Sequence, residues 1–250
     1  MKMVMLGTTG YHPSATRHTA CFMFPELGLI LDAGTGIFRA RELVCTPHLD
    51  IFLSHSHLDH VFGLTFLFDV LTGRKLERLT VHARSQDIEA IDTHLFCEPL
   101  FPVKLSKLNC EFRPYTDGTI SVAGGGTLTH FPLKHPGGSV GFRIDWPGHS
   151  LAYVTDTIAD PAADYVEQIQ GVDLLVHECY FDDSLAQWAE VTGHSCTTPV
   201  AKVAVAAGVK RLLLVHVNPL GPPEDPIGLD VARAIFPNSE IATDMMEVEF

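Results

Sequence analysis

Short apolar runs separated by Gly, Pro and polar clusters punctuate the chain, and most of them have strand length. Residues 2–6 read as a first strand ending at the Gly7 turn. Cys21-Phe22-Met23-Phe24 and Leu29-Ile30-Leu31 read as strands joined by a Pro25–Gly28 turn, a hairpin signature. Asp32-Ala33-Gly34-Thr35-Gly36 follows and opens a predicted helix over 37–43. Such a glycine turn can hold an anion at the helix start, although a plain tight turn accounts for it as well. Residues 50–53 have the pattern of a buried strand, and 61–68 form an apolar run long enough for a buried helix. Residues 79–83 predict a strand. Ser85 is placed to cap a helix running through Ile88, Ile91 and Leu95, with Asp87 in its first turn. Residues 97–118, rich in Pro and turn formers, read as a loop over the mouth of a site.

A second set of strands is predicted at 119–123, 127–133, 139–145 and 150–155, the last two joined at Pro147-Gly148. Asp160-Pro161 has the form of an N-cap followed by Pro at the first helical position, with Gly171 closing that helix. Residues 173–177 predict a strand. Thr198-Pro199 starts a helix through Val200, Val203, Ala204 and Ala207 that ends at Gly208. A strand over 211–217, a helix near 229–235 and a terminal strand complete the chain. No short repeat or low-complexity linker divides it. Each half runs from strands to helices, which fits two packed sheets with helices outside in a single α/β domain spanning 1–250.

Composition narrows this picture. A chain of 250 residues with 46% hydrophobic content can build one large core. No apolar run approaches the ~18 residues of a membrane span, and the apolar part of 1–7 is too short for a signal peptide. The expectation is a cytoplasmic protein with no membrane partner. Six cysteines without a C-x-x-C pair predict reduced, mostly buried thiols. The formal net charge of −13 weighs against long nucleic acid, because Lys and Arg form only the pairs 74–75 and 210–211. A small substrate suits that surface better, and bound divalent cations would offset part of the charge.

The chemistry concentrates in Ser54-His55-Ser56-His57-Leu58-Asp59-His60, at the end of the 50–53 strand. His55 and His57, two apart on extended chain, share a face. Asp59 and His60 lie past the turn and point elsewhere, as expected for two adjacent metal sites. Imidazole and carboxylate donors suit zinc, with manganese or iron as alternatives.

This H-x-H-x-D-H run resembles the signature of the metallo-β-lactamase superfamily, which implies a four-layer αββα sandwich. It also implies three further ligands, matched here by His135, Asp156 and His216, each near a predicted strand end. The resemblance places His55, His57 and His135 on one metal, Asp59, His60 and His216 on the other, and Asp156 between them. Two metals roughly 3.5–4 Å apart can share a hydroxide that attacks the substrate. His177-Glu178-Cys179-Tyr180-Phe181 and Gly193-His194-Ser195-Cys196 resemble the His-Glu-Ala-Thr and His-Ser-Thr loops of ribonuclease Z. Gly141-Phe142-Arg143-Ile144 and the stretch 206–212 are similar to that family too. By this resemblance His194 gives a proton to the leaving oxygen and Glu178 orients it, so that Asp59, His194 and Glu178 count as catalytic. His177 reads as structural.

The chain also departs from that family. Ribonucleases Z of the short bacterial type carry a tRNA-gripping arm between the equivalents of His135 and Asp156, here only 21 positions apart. Cys179-Tyr180 and Cys196 replace the family residues in the two loops. Both departures argue against precursor-tRNA cleavage and leave phosphodiester hydrolysis in place. The leading expectation is therefore a dinuclear zinc phosphodiesterase acting on a small phosphodiester, cyclic phosphate or short oligonucleotide, working as a homodimer by family resemblance. The alternative is a lactonase or thioesterase on the same centre. A zinc β-lactamase of the commonest type would have Cys at position 156, and diiron redox members typically have Glu at position 57. A non-hydrolytic metal-binding protein of the same fold comes third. Specificity falls to the loops 8–18, 97–118 and 181–193.

Overall fold

Alternate residues of the first strand, β1 (Lys2–Gly7), face two different cores. Met3 and Met5 pack with Phe22, Phe142 and Val215, whereas Val4 and Leu6 pack with Ile51, Leu64 and Val81. A strand buried on both faces shows no polar alternation, which is why the sequence presents plain apolar runs. A computed structural model describes residues 1–250. Its first sheet holds β2 (Cys21–Phe24), β3 (Leu29–Leu31), β4 (His48–Phe52), β5 (Arg78–Ala83) and β6 (Cys110–Pro114). The second holds β7 (Thr119–Val122), β8 (Gly126–Leu133), β9 (Ser139–Trp146), β10 (His149–Val154), β11 (Leu174–Glu178), β12 (Leu212–Val215) and β13 (Ser239–Ile241). The last strand, β14 (Glu247–Glu249), returns to the first sheet.

The strand orders are β14-β1-β2-β3-β4-β5-β6 and β13-β12-β11-β10-β9-β8-β7. Pairing is parallel from β3 to β6 and from β10 to β13, and antiparallel elsewhere. One core lies between the sheets, and each outer face carries its own apolar layer of helices. This is the four-layer αββα sandwich. Segments that leave the C-terminal ends of parallel strands gather at one rim, the usual place for a site in sheets of this kind. Between His135 and Asp156 the chain makes only the β9–β10 hairpin, with no arm.

Helices depart from expectation more than strands do. The 61–68 run is broken into α1 (Leu58–Val61), a 3-10 turn over Phe62–Phe66 and α2 (Leu67–Val70). The cause is Gly63, whose N–H bonds sideways to the Ala33 carbonyl at 2.8 Å. The 37–43 helix is a 3-10 helix over Thr35–Glu42. Ser85 is the first residue of α3 (Ser85–Ala90) and not its cap, and a π-turn over Ile91–Leu95 continues it. Asp87 is instead buried, accepting from Arg84 Nε at 2.6 Å and Ser56 Oγ at 2.8 Å. No residue of 97–118 lines the cavity over Asp59 and Asp156. The segment supplies a 3-10 turn and the edge strand β6, in which half-buried Cys110 and Phe112 alternate with exposed Glu111 and Arg113.

After Asp160-Pro161 only one helical turn forms, α4 (Tyr165–Gln168), enough to bury Tyr165 and Val166. The 181–193 segment, read as loop, contains α5 (Ala186–Thr192). The predicted helices near 198–208 and 229–235 are α6 (Thr197–Ala207) and α7 (Leu229–Ile235). All six thiols are free, but only Cys21, Cys179 and Cys196 are buried, so "mostly" overstates their burial. No helix is long and apolar enough to cross a membrane.

Candidate metal centre

All seven predicted ligands converge at the rim. Donor atoms of His55, His57, His135 and Asp156 lie within 4.8 Å of one another, and so do those of Asp59, His60, Asp156 and His216. The first set comes from the turn after β4, the ends of β8 and the end of β10. The second comes from α1, the end of β12 and again the end of β10. Asp156 belongs to both. Its Oδ2 faces His55 Nε2 at 3.6 Å and His135 Nε2 at 3.7 Å. Its Oδ1 faces His60 Nε2 at 3.4 Å and His216 Nε2 at 3.2 Å. Asp59 Oδ2 closes the second set, 3.1 Å from His216 Nε2 and 3.4 Å from His60 Nε2.

These spacings suit cations. Ligands about 2.0–2.2 Å from a tetrahedral zinc stand roughly 3.3–3.6 Å apart, close to the separations found here. The buried His55 Nε2 has no hydrogen-bond partner. Burial, reinforced by neighbouring imidazoles, pushes the His55 and His57 pKa values down, and burial lowers His135 to about 4. Those rings are therefore neutral, the ligating form. His60 goes the other way: burial opposes its charge, but Asp156, Asp59 and Asp32 together raise its pKa. Burial disfavours ionised Asp59 and Asp156, yet His60 and His216 hold both well below the usual carboxylate range. Divalent cations between the two sets would answer the same carboxylates. The residues present fit them.

A supporting layer fixes the rings. Asp32 Oδ2 lies 2.8 Å from His60 Nδ1, and its carboxylate accepts from Ser54 N, Ser54 Oγ and Tyr153 O–H at 2.7–2.8 Å. Gly193 O accepts from His135 Nδ1 at 2.9 Å, and Ser54 Oγ is 3.0 Å from His55 Nδ1. Tyr11 N donates to Asp59 Oδ2 at 2.7 Å. Tyr11, Asp32 and His216 all have positive φ, of 60°, 56° and 55°, a cost the surrounding bonds must hold in place. Gly10 packs against the His216 ring so closely that a Cβ would fall 2.1 Å from Cε1. None of Asp32, Ser54 or Tyr153 was signalled by the sequence as a site residue. Asp32 opens a glycine turn, and only the fold brings Ser54, His60 and Tyr153 around it.

Glu178 and His194 also arrive beside the centre, with His194 Nδ1 3.6 Å from Glu178 Oε1 and 3.9 Å from Asp156 Oδ2. Their loops are tied by Tyr180 N and Phe181 N, which both donate to Ser195 O. Ser195 Oγ in turn donates to Thr157 O at 2.8 Å. Burial works against an imidazolium at His194, but Glu178, Asp156 and Asp59 raise its pKa to about 9. Glu178 is fully buried, and that burial pushes its own pKa up despite His194. His177 is structural as expected, 3.1 Å from Tyr165 O–H.

A family model described as a beta-lactamase superfamily domain matches residues 29–217. The ribonuclease Z of Synechococcus sp. (strain CC9605) is 41% identical, the match covering 100% of this chain and 98% of that protein. The ribonuclease Z of Trichodesmium erythraeum (strain IMS101) is 29% identical, with 100% and 95% covered. These alignments run over 314 and 319 positions against 250 residues, so both relatives carry segments with no counterpart here. Among solved structures, the metallo-beta-lactamase fold protein YhfI from Bacillus subtilis superposes with a TM-score of 0.80 at 22% identity, covering 99% of each chain.

Proposed function

The chain belongs to the beta-lactamase superfamily, on its ribonuclease Z branch, and is a metal-dependent hydrolase; we propose that it cleaves small phosphodiesters at a dinuclear zinc centre. The observation that carries this reading is the division of Asp156. One of its oxygens faces His55 and His135, and the other faces His60 and His216. His55, His57 and His135 would hold one cation and Asp59, His60 and His216 the other, with Asp156 shared. Two cations there would activate water and polarise the scissile bond, which explains the absence of any need for a nucleophilic Ser or Cys. The donors are nitrogen and oxygen only, as zinc accepts, with manganese or iron as substitutes.

His194 and Glu178 complete the chemistry. An imidazolium raised to about 9 carries its proton at neutral pH, beside the centre, ready for a departing alkoxide. A phosphodiester with a poor leaving group needs that proton. The plain β9–β10 hairpin and the net charge of −13 support a small substrate over a long polyanion. The same reading takes residues 1–250 as one cytoplasmic domain that assembles as a homodimer, a state sedimentation would check.

The test is hydrolysis of bis(p-nitrophenyl) phosphate by protein loaded with zinc or manganese, beside a panel of lactones and thioesters. Turnover of the phosphodiester by colourless protein holding about two zinc equivalents is expected. Turnover confined to lactones or thioesters would overturn the reading. Asp32→Asn should weaken metal affinity about 10–100-fold, the usual cost of losing a carboxylate behind a ligating histidine. Competition with a chromophoric chelator would measure it.

A further inference from the structure

Next to the centre lies a second cavity, of about 450 Å³, that none of the roles above uses. Tyr11 and His194 form its wall towards the cavity over Asp59 and Asp156. Tyr180, Phe181, Trp188 and Leu220 line the rest of its apolar surface. Three of the large side chains around it are strongly exposed: Tyr11 at 74%, Trp188 at 52% and Leu220 at 83%. Exposed aromatic groups gathered at one cleft mark a binding surface rather than a core. The Tyr180 ring stacks on the His194 ring, centroids 4.8 Å apart at 22°, and His194 stacks on His216 at 5.3 Å and 25°. Trp188 rises from α5 and packs against no other aromatic ring.

No Asp, Glu, Lys or Arg lines this cleft. His12 and His194 are its only basic side chains and the rest of the lining is aromatic, aliphatic or neutral polar, which suits a flat group apolar on its faces, while the phosphate would be addressed by the cations. A volume of about 450 Å³ lies within the roughly 300–1,000 Å³ of small-molecule pockets. Asn218, whose Oδ1 accepts from Leu220 N at 2.9 Å, keeps its side-chain N–H groups for the edge of such a ring. We propose that the cleft seats a nucleobase, so that the substrate is a nucleoside phosphodiester with its nucleoside on the leaving-group side. This rests on the phosphodiester reading above. In the reaction, water oxygen forms a bond to phosphorus, the bond from phosphorus to the nucleoside oxygen breaks, His194 protonates that oxygen, and the proton released by the attacking water passes to solvent, from which His194 is reprotonated.

Trp188 supplies a readout independent of turnover, because Trp146, the other tryptophan, is buried and donates to Ala123 O. Titration of the zinc-loaded protein with adenosine monophosphate should quench tryptophan emission. Ribose 5-phosphate, with the same phosphate and no base, should not. In Trp188→Ala, folded by circular dichroism, the quenching disappears. In that variant the kcat/KM ratio for adenosine 2′,3′-cyclic phosphate over glycerol cyclic phosphate falls about tenfold, the scale of one base–aromatic stack. Equal quenching by both ligands, or an unchanged ratio in Trp188→Ala, would overturn the base site even if both cyclic phosphates are hydrolysed. Base-dependent quenching without hydrolysis of either ester would uphold the site and sink the phosphodiester reading instead.

Discussion

Asp156→Ala is expected to emerge from purification without its pair of cations and with phosphodiester turnover reduced beyond the ~10²–10³-fold typical of losing a single stabilising donor. The side chain is almost fully buried and is the one group shared by both ligand sets. Its removal leaves His55 and His135 with no carboxylate in their set and His60 and His216 with Asp59 alone in theirs. Burial opposes ionisation of Asp156, but His216 and His60 hold it ionised, so the alanine protein loses a full charge at that point. Asp156→Asn tests charge against volume. It keeps the size but offers one oxygen where two are needed, and it should retain at most one cation. Elemental analysis after gel filtration, with kcat on the same preparation, decides the matter. Two equivalents of zinc in either variant would refute the shared-ligand role.

His194→Ala should cut kcat by about 10²–10⁴-fold on an alkyl phosphodiester and leave KM nearly unchanged. On a p-nitrophenyl ester the loss should be much smaller, because nitrophenolate departs without a proton. The slowing should thus grow as the leaving group becomes more basic, a pattern that a purely structural role would not produce. The alkaline limb of the kcat profile should flatten in the variant, since the proton lost there belongs to the imidazolium that Glu178 sustains. Equal losses on alkyl and nitrophenyl esters would remove His194 from the role of proton donor. Leaving-group series on wild type and variant, at matched zinc content, make the measurement.

The strands were readable because burial on both sheet faces writes them as apolar runs, and the metal motif because six consecutive positions carry most of its ligands. Helices were less readable. The 61–68 run looks helical, but Gly63 turns its N–H to Ala33 and breaks the run, a contact set by a loop some thirty residues upstream. The edge strand β6 does alternate, Cys110 and Phe112 against Glu111 and Arg113, but over only four residues among turn formers, and the short helix α5 buries only Ala189 and leaves little periodicity to detect. His135, Asp156 and His216 were found through family resemblance, each alone being an ordinary strand-end residue. Asp32 and Trp188 were missed for a common reason. Their importance lies in neighbours from distant parts of the chain, and no local pattern encodes those.

On the proposed assignment, each cation takes ligands from both sheets: histidines or carboxylates that follow β4, and partners that follow β8, β10 or β12. This has a consequence for synthesis. A nascent chain that stops short of Asp156 completes neither ligand set, and the second set waits for His216. A complete set for either cation therefore forms only after the two halves have docked. Once captured, the cations clamp the halves together, as expected when ligands separated in the unfolded chain share an ion. Metal retention then becomes a gauge of how well the sheets fit. A change deep in the inter-sheet core, far from any ligand, should then register as weakened metal retention.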